Sequence, residues 1–114
     1  MACVKDYGYR TLYRIEDGKI KDYGYRTLYR IENGAVKDYG GRTLYRLEGD
    51  RILSYGYQIL LRYDGRNICD YGYRTKYRVY DGAIREYGGQ IIYRLDGSFS
   101  NEELLAIIAV LFLE

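Results

Sequence analysis

Apolar and polar residues alternate with a period of two along most of this 114-residue chain, and glycine-centred turn signals interrupt them at regular intervals. That alternation, rich in Tyr, Ile, Thr and Val, predicts β-strands. Near Ser98 the pattern changes. From Leu104 to Leu113 ten residues are apolar without a break, which predicts a helix that is hydrophobic on every side and therefore buried all round.

The strand region is a repeat of 16 residues in six copies. Lys5–Glu16 and Lys21–Glu32 are the same twelve residues, KDYGYRTLYRIE, and the later copies drift from it. Three columns never change: Tyr7, Tyr23, Tyr39, Tyr55, Tyr71 and Tyr87; the Gly after each; and Arg14, Arg30, Arg46, Arg62, Arg78 and Arg94. Each copy has two turn signals. Asp17-Gly18, Asn33-Gly34 and Asp81-Gly82 favour type I′ turns, and Gly49-Asp50 and Gly65-Arg66 favour type II′. The invariant Gly with its follower, as in Gly24-Tyr25, reads as a second two-residue turn of type II′.

Two-residue loops set the pairing. Around Asp17-Gly18, Glu16 faces Lys19, Ile15 faces Ile20 and Tyr13 faces Asp22. Around Gly24-Tyr25, Tyr23 faces Arg26, Asp22 faces Thr27 and Ile20 faces Tyr29. One face then gathers Thr11, Tyr13, Ile15 and Ile20, with the aliphatic column Val4, Ile20, Val36, Ile52, Ile68 and Ile84 marking it as the core. The other face gathers Arg10, Leu12, Arg14, Glu16, Lys19, Lys21 and Tyr23. A lone strand at about Cys3–Tyr7 and another at about Gln90–Asp96 bring the total to twelve antiparallel strands. The register slips two residues per repeat, the stagger a closed barrel needs, and closure removes both sheet edges.

The helix has its own start signal. Ser100-Asn101-Glu102-Glu103 is a capping box, and Phe99 with Leu104 fits the hydrophobic staple. A twelve-strand barrel is too wide for its own side chains to fill. The expected fold is therefore all-β with one C-terminal helix: a single domain over 1–114, hairpin repeats over 3–97, and a helix over 98–114 inside an up-and-down barrel.

Composition adds little to this. Seventeen Tyr argue against disorder, and the formal charge of +2 sets no strong field alone. Cys3 and Cys69 are too few for a disulfide scaffold. Both read as outward-facing and far apart in the strand order, hence as thiols open to reagents. No secretory signal pattern opens the chain and no apolar run reaches membrane length, so the expectation is a cytoplasmic protein without a transmembrane segment. Twelve antiparallel strands around a hydrophobic C-terminal helix resemble the tubby-like superfamily, including LURP-one-related proteins and phospholipid scramblases. The resemblance is one of architecture, carried by no sequence motif. It implies lipid or protein binding ahead of catalysis.

Candidate chemistry is sparse. The chain has no His, the commonest general base, and no P-loop, dinucleotide motif or Cys/His metal spacing. The expectation is a non-enzymatic module with no cofactor and no metal. The column Asp6, Asp22, Asp38, Asp70 and Glu86, interrupted by Ser54, points inward. It is either a carboxylate ring for a cation or a set of acceptors for nearby hydroxyls and turn amides. The six-residue Arg column with Tyr23, Tyr39 and Tyr55 interleaved forms a basic, aromatic outer wall. Such a wall suits anionic lipid headgroups or nucleic acid; it also suits Arg stacked on Tyr purely for structure. Tyr9, Tyr25, Tyr57 and Tyr73 at the turn tips could stack on a carbohydrate. A purely structural or self-assembling repeat protein is the third reading.

Overall fold

In a computed structural model, residues 2–114 are described. Twelve strands are β1 (Ala2–Asp6), β2 (Thr11–Glu16), β3 (Lys19–Lys21), β4 (Thr27–Glu32), β5 (Ala35–Asp38), β6 (Thr43–Glu48), β7 (Arg51–Ser54), β8 (Ile59–Tyr63), β9 (Asn67–Cys69), β10 (Thr75–Tyr80), β11 (Ala83–Glu86) and β12 (Ile91–Asp96). Each pairs antiparallel with its sequence neighbour, and β1 pairs with β12 to close the barrel. The helix α1 (Asn101–Leu113) follows. It is shorter than the expected 98–114 because Ser100 caps it: its hydroxyl accepts from the Glu103 amide while the Glu103 carboxylate accepts from the Ser100 amide.

The Asp-Gly turns form as their residues demand. Asp17 and Gly18 both take positive φ, as do Asn33 with Gly34 and Asp81 with Gly82, the type I′ pattern. Gly49 and Gly65 take positive φ while their followers do not, the type II′ pattern. The expected pairing around these turns is found, with Glu16 opposite Lys19 and Ile15 opposite Ile20.

The other loops differ from expectation. They hold three residues, closed by backbone bonds between Asp22 and Arg26 and their equivalents. Asp22 therefore faces Arg26 rather than Thr27, and Thr27 faces Lys21. The positive φ falls on Tyr9, Tyr25, Gly41, Tyr57, Tyr73 and Gly89, not on the invariant Gly before each. That invariant Gly needs no left-handed backbone, and a Cβ at Gly24 would make only ordinary contact with Asp22 Oδ1 at 3.5 Å. Nothing in the structure explains its constancy.

A β-bulge compensates for the longer loop. Lys21 pairs with Thr27 but Ile20 with Tyr29, leaving Leu28 as the extra residue, and the same shift recurs in every repeat. Beyond the bulge the expected register returns: Ile15 neighbours Ile20, which neighbours Tyr29, the equivalent of Tyr13. The two-residue slip per repeat thus survives. The bulge also turns part of the Leu12 column inward, because two consecutive residues there share one partner. Leu44 and Leu60 accordingly pack on the core instead of facing out.

The closing seam copies the hairpins. Asp6, Lys5, Val4 and Cys3 oppose Tyr93, Arg94, Leu95 and Asp96, the columns that oppose one another between β4 and β5. Lys5 Nζ lies 3.2 Å from Asp96 Oδ2 across the seam, much as Lys21 pairs with Glu16 within a hairpin.

Inside, the aliphatic column from Val4 to Ile84 is fully buried, and so are Ile107 and Ile108 of α1. Each such side chain contributes on the order of 1.5–3 kcal/mol, so helix and strands stabilise each other. The helix lies nearest β6 and β7. At its start Asn101 Nδ2 donates to the Gly49 carbonyl at 3.3 Å, and at its end the Tyr45 hydroxyl donates to the Leu113 carbonyl at 3.0 Å. One hairpin therefore holds both ends of the helix.

Candidate functional site

Among the described residues, every exposed large apolar side chain is a tyrosine of the three-residue loops. Tyr7, Tyr23, Tyr39, Tyr55, Tyr71 and Tyr87 are joined by Tyr9, Tyr25, Tyr57 and Tyr73, making one rim at one end of the barrel. Four of these loops are shaped by an aspartate. Asp6 Oδ1 accepts from the Gly8 and Arg10 amides, both at 2.9 Å, and Asp22 and Asp70 do the same in their own loops. In the fourth copy Ser54 Oγ takes the role, accepting from the Gln58 amide. The Arg10 amide, with Gly8 and the Arg10 charge behind it, holds the Asp6 carboxyl below its ordinary range; Arg74 does so for Asp70.

The four aspartates of the acidic column are therefore loop acceptors, the second of the two roles expected for it. Their second oxygens meet arginine: Arg10, Arg26, Arg42 and Arg74 approach Asp6, Asp22, Asp38 and Asp70 at 3.2–3.5 Å. These four guanidinium side chains are about 80% exposed.

The invariant Arg column has a different duty from the solvent-facing one expected. Arg14, Arg30, Arg46, Arg62, Arg78 and Arg94 are all half-buried. Nε of Arg14 donates to the Tyr23 carbonyl at 3.2 Å, reaching from one repeat into the next loop. Arg30 does so to Tyr39, Arg46 to Tyr55 and Arg62 to Tyr71, and Arg94 reaches Tyr7 across the seam. Arg78 breaks the series, its Nε buried without a partner.

The same guanidinium groups stack on the tip tyrosines. Arg14 lies over Tyr25 at 4.5 Å, Arg46 over Tyr57 at 4.3 Å, Arg62 over Tyr73 at 4.1 Å and Arg94 over Tyr9 at 4.0 Å. Where the tip residue is Gly41 or Gly89 no such stack exists, and Arg78 lies over Tyr87 instead. A bulky residue at φ near 72° is strained, by about 1–3 kcal/mol. Gly at the same place in two copies shows that the loop itself does not require the ring. The cation–π contact offsets part of the strain.

Between neighbouring loops lie shallow grooves of one design. One, of about 570 Å³, is lined by Arg10, Thr11, Leu12, Arg14 and Tyr23. Its equivalents are lined by Arg26, Thr27, Leu28 and Tyr39, and by Tyr57, Gln58, Ile59, Arg62 and Tyr71.

Charge is segregated along the barrel. Ten of the 18 Lys and Arg residues are the Arg10-type and Arg14-type columns of the rim end, against five acidic residues in its loops. The opposite end carries the Glu16 column, Asp17, Asp50, Asp81 and the helix-start residues Glu102 and Glu103. The net +2 conceals this polarity.

The Arg and Tyr columns named from sequence are thus brought together, but as clamps between repeats. The exposed Arg10 column and the strained tip tyrosines are what that reading undervalued. The signal was present: Gly replaces Tyr at positions 41 and 89, which marks a left-handed position better than an unvarying Gly does. Cys69 also departs from expectation. It is buried, its Sγ 3.7 Å from Thr75 Oγ1, while Cys3 is half-exposed on a strand four places away around the barrel. No family model, curated protein or solved structure matches this chain.

Proposed function

We propose that this protein is a peripheral binding module that docks end-on, through its tyrosine and arginine rim, onto an anionic lipid surface. The observation that carries this reading is the gathering of all exposed large aromatics and both arginine columns at one end of a charge-polarised barrel. Tyr suits a membrane interface because its ring is apolar and its hydroxyl polar. Arg engages phosphate in a bidentate manner. A ring of equivalent loops presents these groups in one layer, as a flat partner requires, and repetition multiplies weak contacts into avidity. The architectural resemblance to tubby-like proteins points the same way.

The substitutions that test the rim are the exposed arginines, since the half-buried column holds the loops together. Arg10, Arg26, Arg42 and Arg74 changed together to Gln should leave the melting temperature nearly unchanged. Each basic residue at such a surface is worth ~1 kcal/mol, so the affinity for phosphatidylglycerol-containing vesicles, read by co-sedimentation, should fall by roughly three orders of magnitude. Wild-type binding should weaken as salt rises. Absence of vesicle binding at low salt would sink the proposal.

The grooves support a second reading, carbohydrate binding, because each offers a Tyr ring beside Thr and Arg hydrogen-bonding groups. Sugar stacking would be little affected by salt, which separates the two. Single-stranded oligonucleotide binding in place of vesicle binding would move the partner to nucleic acid.

A further inference from the structure

A recess opens at the mouth of the barrel, on the rim end, opposite the side on which the helix leans. The helix is tied to the β6–β7 hairpin at both ends, and at its C-terminal end Phe112 meets Tyr77 and Tyr93 while Tyr29 reaches Glu114; a gap is left beside Val110 and Leu111. The gap, of about 470 Å³, is lined by Tyr13, Tyr29, Tyr93, Val110, Leu111 and Glu114 among others. That size falls within the range of small-molecule sites.

From this recess we infer a binding site for a primary organic ammonium with a small apolar body. Three separate features select that chemistry. First, Arg lines each of the grooves and hollows on the outer wall, yet neither Lys nor Arg lines this one. Second, among the described residues Glu114 forms no ion pair. Its carboxylate is held by two tyrosines instead, accepting from the Tyr29 hydroxyl at 3.4 Å and from the Tyr45 hydroxyl. Asp22, the other carboxylate at the mouth, is engaged by Arg26. Third, the recess receives the C-terminal end of α1, where backbone carbonyls concentrate negative potential and no basic residue stands in the last turn.

The rest of the recess suits an apolar body. Val110 and Leu111 form one side and the tyrosine rings the other, so a hydrocarbon or aromatic stem is covered while the ammonium faces Glu114. Burial, with the Glu114 charge adding to it, holds the Tyr13, Tyr29 and Tyr45 hydroxyls above the ordinary tyrosine range. Tyr29 and Tyr45 therefore remain neutral donors that fix the carboxylate in place. The site is independent of the rim: the residues that select ammonium are not the arginines that select an anionic surface, so each proposal can fail without the other.

Phenethylammonium is a suitable probe, with phenethyl alcohol as its neutral counterpart, titrated into the chain and followed by the chemical shifts or fluorescence of its tyrosines. Saturable binding of the ammonium, at least tenfold tighter than the alcohol, is expected. Glu114→Gln keeps the side chain's shape and one acceptor oxygen while removing its charge, and should weaken ammonium binding about tenfold, leaving alcohol binding unaltered. Leu111→Trp, which fills the recess without touching charge, should abolish binding of both. Equal affinity for ammonium and alcohol in the wild type would overturn the proposal, as would no saturation by about 10 mM, beyond which a site has little binding energy.

Discussion

The two ends of the barrel are each built from hairpin loops, yet they solve the turn in opposite ways. At the Asp-Gly end two residues suffice, and each left-handed position is filled by Gly, Asp or Asn, residues that tolerate it. At the Tyr-Gly end three residues are used, and in four of the copies the left-handed position holds a Tyr. The first end is comfortable and acidic; the second is strained, basic and aromatic. Local strain that relaxed copies of the same loop show to be unnecessary is the pattern expected of a surface shaped for contact. The contrast also locates the stabilising forces. Both kinds of turn are tied to the neighbouring repeat, the Asp-Gly turns by backbone alone, as where the Ile31 amide donates to the Gly18 carbonyl at 2.7 Å, and the rim loops by an Arg side chain.

The largest expected effect lies in what both ends share, the filled interior. Ile108 is fully buried, and Ile108→Asp places an unpaired carboxylate there at a cost on the order of 4–5 kcal/mol or more. That rivals a domain's whole stability margin, so both ends should be lost together, read as one collapse of circular dichroism and of thermal cooperativity. A variant that lost only the rim loops would show that the helix supports one end alone.

A smaller and sharper test sets the two glycines against each other. Gly18 has φ of +71° and a Cβ there would lie 3.2 Å from the Ile31 carbonyl oxygen. Gly18→Ala should destabilise by about 1–2 kcal/mol. Gly24→Ala meets neither obstacle and should be neutral, or stabilise by up to ~1 kcal/mol by restricting the unfolded chain. Chemical denaturation midpoints decide it, and equal losses would contradict the loop geometry described here.

The smallest effect is electrostatic. The folded-state carboxyls of Asp6 and Asp70 lie below their ordinary value, chiefly through the Arg10 and Arg74 amides. Their stabilisation is therefore present above the unfolded value, near 3.9, and fades as pH falls through the folded values. Asp6→Asn with Asp70→Asn keeps the amide acceptors and should flatten the fall in melting temperature below about pH 4. An unchanged acid limb would mean the loop carboxylates add nothing beyond geometry.

Most of the strand pattern was legible because it is local and repeated. Period-two alternation around Ile20, Asp-Gly dipeptides and the Ser100–Glu103 box each act within a few residues. Six copies state the same message. The rim loop was misread for a specific reason. A two-residue loop, and a three-residue loop followed by a bulge at Leu28, leave Ile20 opposite the same Tyr29. The core pattern therefore could not separate them. The reach of Arg14 to the next loop was hidden too, since spacing along a strand does not reveal which neighbour a long side chain will meet.

By itself the sequence determined the twelve strands, their register slip, the self-matching edges that close the ring, and the helix that fills it. Only the tertiary structure decided where the helix sits. Six near-identical repeats offer six near-identical walls, and one helix cannot satisfy them equally. It settles on the hairpin where Tyr45, a residue of the common pattern, and the carbonyl of Gly49, in a drifted turn, bond its two ends. That choice breaks the symmetry, because a single helix cannot present the same side chains to six like walls, and a recess is left beside Val110 and Leu111.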